Sequence, residues 1–226
     1  ALSQIISQSL RKCDMPTNMI QLIQTTDRSA VSELLMQDNY IDVIIPRGGK
    51  ALIKKISSES KIPVIKHLDG NCHVYIDSEA DFKTAMDCTL NSKTQRYGVC
   101  NAAESLLIHK SFPKKSILKI LVALHEHDVQ IRGCKKTKSI FKQTISAKEL
   151  DWYEEYLKPI IAVKIVNSID EAIDHIEKYG SKHTDAIISK DKVAQSRFLK
   201  EVDSSSVMVN TSTRFADSFE YGLGAE

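Results

Sequence analysis

The sequence predicts an α/β protein built on parallel strands. Short β-branched runs such as Tyr40–Ile45 and Ile160–Val166 alternate with amphipathic segments of helical period. The connections between them are short and carry glycine, proline or a capping residue. Strand, helix and parallel strand in repeated succession is the signature of crossover units.

Each element follows from its residues. Leu2, Ile5, Ile6 and Leu10 share one face, so residues 2–13 read as a helix. Pro16 marks a loop, and Ile20–Ile23 is a short apolar run. Asp27–Met36 is helical, with Asp27 or Ser29 as its N-cap. Tyr40–Ile45 has the character of a central strand; it enters Pro46-Arg47-Gly48-Gly49, and Ala51–Ser57 turns helical again. Ile62–Ile65 is the next strand, so residues 1–66 read α-β-α-β-α-β. A turn at Leu68–Asn71 follows, then a strand Cys72–Ile76 and a helix over 79–93. Ser105–His109 is a strand, Ile117–His127 a helix, and Val129–Ile131 a strand ending at Gly133. Lys135, Lys136 and Lys138 suggest a solvated loop. Ser146 can cap an acidic helix Ala147–Glu155. The remaining alternation is Ile160–Val166 strand, Ser168–Tyr179 helix with Gly180 as its C′ residue, Asp185–Ser189 strand, Lys192–Val202 helix and Val207–Asn210 strand. The expected division is 1–66, 67–210 and a segment 211–226 that begins something longer. The helical face starting at Leu2 and the unclosed Gly-containing tail make the chain read as a fragment.

Composition narrows the function. With 42% hydrophobic and 27% charged residues, the 226-residue chain is globular. A net charge of +2 and the absence of a polybasic run give no reason to expect nucleic acid. No stretch of about 18 apolar residues suggests a membrane span. The five cysteines are scattered, without a C-x-x-C pair, which argues against disulfides and structural zinc and for a reducing compartment, the cytoplasm. His125 and His127 stand two apart on a helix and do not face each other, so no metal is expected.

Five segments can carry chemistry. Ile41–Gly49 before a helix could cradle a phosphate on Gly48 and Gly49, with Arg47 adding charge; an ordinary tight turn explains it equally well. In Thr94–Glu104, Cys100 follows a glycine and precedes a strand, where a thiolate can act as a nucleophile and the following N–H groups and the Asn101 amide can hold an oxyanion. A buried structural cysteine is the commoner state of a lone Cys. Asp151–Pro159 joins acidic and aromatic residues that can hold ribose hydroxyls, or it is a charged helix end. His183 and Thr184 sit in a loop, where His183 alone reads as structural. Arg214 in Val209–Asp217 can grip a carboxylate bidentately, or belong to a surface loop.

In combination these segments are specific. IPRGGKALI at 45–53, PVIKHLDGNCHVYID at 63–77, KTQRYGVCNAAE at 93–104, YGSKHTDAII at 179–188 and VNTSTRFADSFEYGLGAE at 209–226 resemble the gamma-glutamyl phosphate reductases, a branch of the aldehyde dehydrogenase superfamily. The resemblance implies an aldehyde-dehydrogenase-like fold, with a partial Rossmann-type cofactor domain and an α/β catalytic domain. It implies reduction of L-glutamyl 5-phosphate by NADPH to L-glutamate 5-semialdehyde and phosphate, the second step of proline synthesis, in an enzyme that is a homo-oligomer at full length. By the same carry-over Cys100 is the nucleophile, with Asn101 beside it. Arg47, Gly48 and Gly49 face the cofactor phosphates, Glu155 holds the ribose next to the nicotinamide, and Arg214, Phe215 and His183 lie near the substrate. His67 stands where hydrolytic relatives place a general-base glutamate. Tyr97 replaces a usual proline and Ser218 a usual glycine. An aldehyde-oxidising relative and a non-catalytic scaffold of the same fold are the alternatives.

Overall fold

The computed structural model describes residues 2–66 and 69–224. The chain divides into two compact units, Ala1–His67 and Leu68–Glu226. The first holds three α-helices, α1 (Leu2–Lys12), α2 (Ser29–Leu34) and α3 (Lys50–Glu59), with a 3-10 turn Thr17–Met19. Leu35, Ile53, Ile56 and Ile62 are buried. The strands expected at Tyr40–Ile45 and Ile62–Ile65 shrink to one parallel bridge, Ile44 with Val64. Ile44 N–H donates to the Pro63 carbonyl at 2.9 Å and Ile65 N–H to the Ile44 carbonyl at 2.9 Å. The run Ile20–Ile23 forms no strand. Strand formation needs a neighbour to take its N–H and C=O groups, and propensity alone does not supply one.

The second unit is a seven-stranded, all-parallel sheet covered by helices on both faces. Its elements are β1 (Cys72–Ile76), α4 (Phe82–Thr94), β2 (Ala103–His109), α5 (Lys114–Glu126), β3 (Gln130–Gly133), α6 (Lys135–Ile140), β4 (Ile145–Ser146), β5 (Ile160–Val166), α7 (Ile169–Tyr179), β6 (Thr184–Ile188), α8 (Lys192–Glu201) and β7 (Ser206–Val209). The strand order is β4-β3-β5-β2-β1-β6-β7. Alternation along β1 divides the core: Val74 and Ile76 pack with Ala85 of α4 and Ile120 and Leu124 of α5, while Tyr75 faces Ala172 and Ile176 of α7 and Phe198 of α8. Burial on both faces explains why the strands read as continuous apolar runs.

Three local expectations differ. Lys135–Ile140 is a helix, not a loop, anchored by the buried Thr137, whose Oγ1 donates to the Val163 carbonyl at 3.0 Å. The acidic helix expected over 147–155 is only a 3-10 turn, Glu149–Trp152. Asp151, not Ser146, caps it by accepting from Lys148 N–H at 2.7 Å. Gly180 ends α7 with φ −69°, so no left-handed residue is needed there. A Cβ at 180 would stand 2.5 Å from the Ile176 carbonyl oxygen, so glycine serves close approach instead.

At the carboxyl ends of β1, β6 and β7 the chain is sewn together. Ser189 Oγ donates to Asp77 Oδ2 at 2.7 Å, and Tyr75 Oη donates to Asp77 Oδ1 at 3.1 Å. Ser189 N–H donates to Asn210 Oδ1, and Asn210 Nδ2 donates to the Ser189 carbonyl, both at 2.9 Å. Asn210 has φ 54°, a conformation asparagine tolerates.

Candidate active site

Cys100 lies in the connection between α4 and β2, at the amino end of the sheet. Open α/β sheets more often bind ligands at the carboxyl ends of their strands. The segment after α4 makes a tight turn, with Ala102 N–H donating to the Val99 carbonyl at 3.1 Å, and leaves the Cys100 side chain exposed. The carbonyl of Cys100 accepts from the buried Cys72 thiol at 3.1 Å. Burial, reinforced by Asp185, pushes the Cys72 thiol far up, so it stays protonated and structural. Gly70 presses on the same loop: a Cβ there would stand 1.8 Å from the Cys100 carbonyl oxygen and 2.6 Å from its Cα. Gly70 N–H in turn donates to Glu155 Oε1 at 2.7 Å. Asn71, next along, donates from Nδ2 to the Trp152 and Tyr179 carbonyls, both at 2.8 Å. Cys100 and Glu155, far apart in sequence, are thus joined through one glycine.

Beneath the loop is an ion pair with no solvent contact. Lys93 Nζ at the end of α4 meets Glu104 Oε2 in β2 at 2.5 Å, both side chains 0% exposed. The two residues bracket the cysteine loop. Glu104 Oε1 also accepts from Leu157 N–H at 3.1 Å, which ties in the segment carrying Glu155. Burial pushes Glu104 up to about 7 against the pull of Lys93, and burial lowers Lys93. Tyr97, the proline replacement, places its ring 6.0 Å from Lys93 Nζ.

Asn101 requires a correction. Its side chain is buried, and Nδ2 donates to the Ala216 carbonyl at 3.0 Å and the Arg214 carbonyl at 3.4 Å. The amide is occupied in holding the 213–216 segment, so it is not a free oxyanion donor. Its backbone N–H, immediately after the cysteine, has no partner among the described residues. Thr213 Oγ1 completes the attachment by donating to the Asn101 carbonyl at 2.7 Å.

The attached segment forms one wall of a cleft of about 260 Å³, lined by Asn91, Gln95, Arg214, Phe215, Asp217 and Glu220. Arg214 and Phe215 are therefore together, one hydrogen bond from the residue after Cys100. His183 is not with them. It stands at the amino end of β6, with Nδ1 2.7 Å from Thr184 Oγ1 and 3.7 Å from Cys72 Sγ.

In the first unit, Gly49 precedes α3 with no side-chain cap, and nothing lies within 4 Å of where its Cβ would be. The open N–H groups of this turn, with Arg47 and Gly48 beside them, suit an anion. In the second unit, only Oε1 of Glu155 is engaged among the described residues, which leaves Oε2 to accept from a hydroxyl. His67 lies outside the described residues. Among the described residues no helix is long and apolar enough to cross a membrane, and no group of three or more His, Cys, Asp or Glu could hold a metal ion.

Gly70, Cys72, Lys93 and Glu104 were not read as site residues from the sequence. The glycine of the turn 68–71 is the one signal the sequence carries for them; a buried pair across a loop leaves none.

Known structures resemble this arrangement closely. The crystal structure of gamma-glutamyl phosphate reductase from Thermotoga maritima is 41% identical over 99% of the chain, with a TM-score of 0.95. Its counterpart from Saccharomyces cerevisiae is 37% identical over 98%, with a TM-score of 0.55. An acetylating aldehyde dehydrogenase from Geobacillus thermoglucosidasius, at 20% identity over 99% of the chain and a TM-score of 0.71, shares the fold. The chain spans about half of each, covering 54%, 55% and 57% of their lengths respectively. Residues 1–157, which include the Cys100 loop, Gly70 and Glu155, match the aldehyde dehydrogenase family. A parallel sheet with an exposed cysteine at its amino edge, and this match across most of its length, mean that the chain belongs to the aldehyde dehydrogenase family.

Proposed function

We propose that the full-length protein reduces L-glutamyl 5-phosphate to L-glutamate 5-semialdehyde, with Cys100 as the acyl carrier and NADPH as the reductant. The observation that carries this reading is the exposed Cys100 next to the Asn101 N–H, which has no partner among the described residues. The identity of 41% and 37% to two gamma-glutamyl phosphate reductases supports the choice of substrate.

The Cys100 thiolate attacks the acyl carbon, the C–O bond to phosphate breaks, and phosphate leaves with the electron pair to give a thioester. The Asn101 N–H is placed to donate to the oxygen as it gains charge. When bound, the reduced nicotinamide supplies a hydride to the acyl carbon. The resulting thiohemiacetal oxyanion collapses, the C–S bond breaks and Cys100 regains its thiolate as the aldehyde departs. Glu155, through Oε2, and the turn Arg47-Gly48-Gly49 are the residues that would hold the ribose and phosphates. Bound NADP in a glyceraldehyde-3-phosphate dehydrogenase from Methanocaldococcus jannaschii and in an engineered glycolyl-CoA reductase of the same fold is consistent with this cofactor class.

The test is single-turnover kinetics of the full-length protein. Phosphate should be released in a burst in the wild type, and Cys100→Ala should abolish both the burst and aldehyde formation. A Cys100→Ala protein with the wild-type rate would overturn the reading.

A further inference from the structure

We infer that the cleft beside the cysteine loop is a subsite for the zwitterionic head of an α-amino acid, with Arg214 taking the carboxylate and Asp217 and Glu220 taking the ammonium. The inference rests on the proposed acyl chemistry at Cys100 and adds how the far end of the substrate is recognised.

Both signs of charge line one cleft of about 260 Å³. Arg214 Nε donates to Gln95 Oε1 at 2.7 Å. That bond fixes the guanidinium plane and leaves its two terminal nitrogens uncommitted among the described residues, the edge that pairs with a carboxylate bidentately. Asp217 Oδ1 accepts from Phe219 N–H at 2.9 Å, and its other oxygen remains available. Among the described residues no ion pair joins Arg214 to Asp217 or Glu220, although all three line the same space. Opposite charges that face a common volume without neutralising each other complement a ligand that carries both. A simple dicarboxylate would meet two like charges there, and a simple amine would meet Arg214.

The wall is also held in a fixed position relative to the nucleophile. Thr213 N–H donates to Ser92 Oγ at 3.1 Å, Thr213 Oγ1 to the Asn101 carbonyl, and Asn101 Nδ2 to the Ala216 carbonyl. Recognition at the head thereby sets where the far end of the ligand meets Cys100.

The test uses the full-length protein in two arms. In the first, oxidation of glutamate 5-semialdehyde is compared with that of 5-oxopentanoate, which lacks the amino group, in the presence of phosphate. The kcat/KM ratio should favour the amino-acid substrate, and the double variant Asp217→Asn/Glu220→Gln should lower that ratio on the order of 10- to 100-fold. Arg214→Met should weaken both substrates. In the second arm, which needs no turnover, L-glutamate should raise the melting temperature more than glutarate does, and the double variant should erase the difference. An unchanged ratio, or equal shifts by glutamate and glutarate in the wild type, would overturn the subsite and leave Cys100 chemistry intact. Loss of aldehyde oxidation for both substrates in the wild type, with the glutamate preference retained, would instead refute the acyl chemistry alone.

Discussion

Gly70 and Cys100 touch backbone to backbone, with no room between them for a single additional carbon. Gly70→Ala would place a methyl group 1.8 Å from the Cys100 carbonyl oxygen, so the cysteine loop must move. Displacement of a reacting group by about 1 Å can cost on the order of 100-fold in rate. We expect a loss of that order in kcat for Gly70→Ala, measured alongside circular dichroism to confirm that the sheet is formed. Unchanged kcat would show that the loop position does not matter.

The Lys93–Glu104 pair has no access to water, so breaking it leaves a lone buried charge. Lys93→Met or Glu104→Gln should each destabilise the protein by about 3–5 kcal/mol. The double variant Lys93→Met/Glu104→Gln should cost less than the two together, because no charge is then left unmatched. Denaturant unfolding of the four proteins measures this, and simple additivity would contradict the account.

Acid should weaken the protein through His175. Burial, with the nearby charges of His73, Lys164 and Lys178, lowers its pKa from 6.5 to about 2. Lys164 Nζ lies 3.4 Å from His175 Nδ1, a contact that suits the neutral ring. The unfolded chain takes up a proton below pH 6.5 and the folded one does not. The stability from this group is complete above pH 6.5 and falls by about 1.4 kcal/mol per pH unit as pH drops toward 2. His175→Phe removes the titration, so its stability relative to wild type should improve by about 2 kcal/mol between pH 6.5 and pH 5 in urea melts. A constant difference across that range would refute the assignment.

Thiol labelling separates the cysteines. Cys100 is exposed, whereas Cys72 is fully buried with its thiol held protonated. Limited iodoacetamide followed by peptide mass spectrometry should modify Cys100 well before Cys72. Equal labelling would mean that the loop opens on the labelling timescale.

Much of this molecule was legible in residue order. Runs such as Cys72–Ile76 and Ile160–Val166 form strands because they are apolar on both sides, and helices on both faces satisfy both sides. Tyr40–Ile45 is also β-branched and apolar but pairs only through the single bridge of Ile44 with Val64, because pairing depends on a neighbour that composition does not reveal. Lys135–Ile140 looked like a loop for its lysines; the feature that decides it is the buried Thr137, invisible until Val163 lies beside it. Cys100 stood out by its neighbours in sequence, but its supports did not: Gly70 and Glu104 act through contacts with residues from other strands and turns. Asn101 was legible as important, yet its amide serves the 213–216 segment, a distinction only the folded chain makes.

The seam of Asp77, Ser189 and Asn210 has a consequence for how this scaffold can diversify. It locks the rim where most sheets of this kind house their ligands, and it is the strongest candidate for a region that tolerates little change. New specificities must then be written away from that seam, in residues 69–71, 95–102 and 212–220, which connect elements without belonging to any strand ladder. Loop grafting between relatives in those segments alone should exchange substrate preference while each chassis keeps its own melting behaviour.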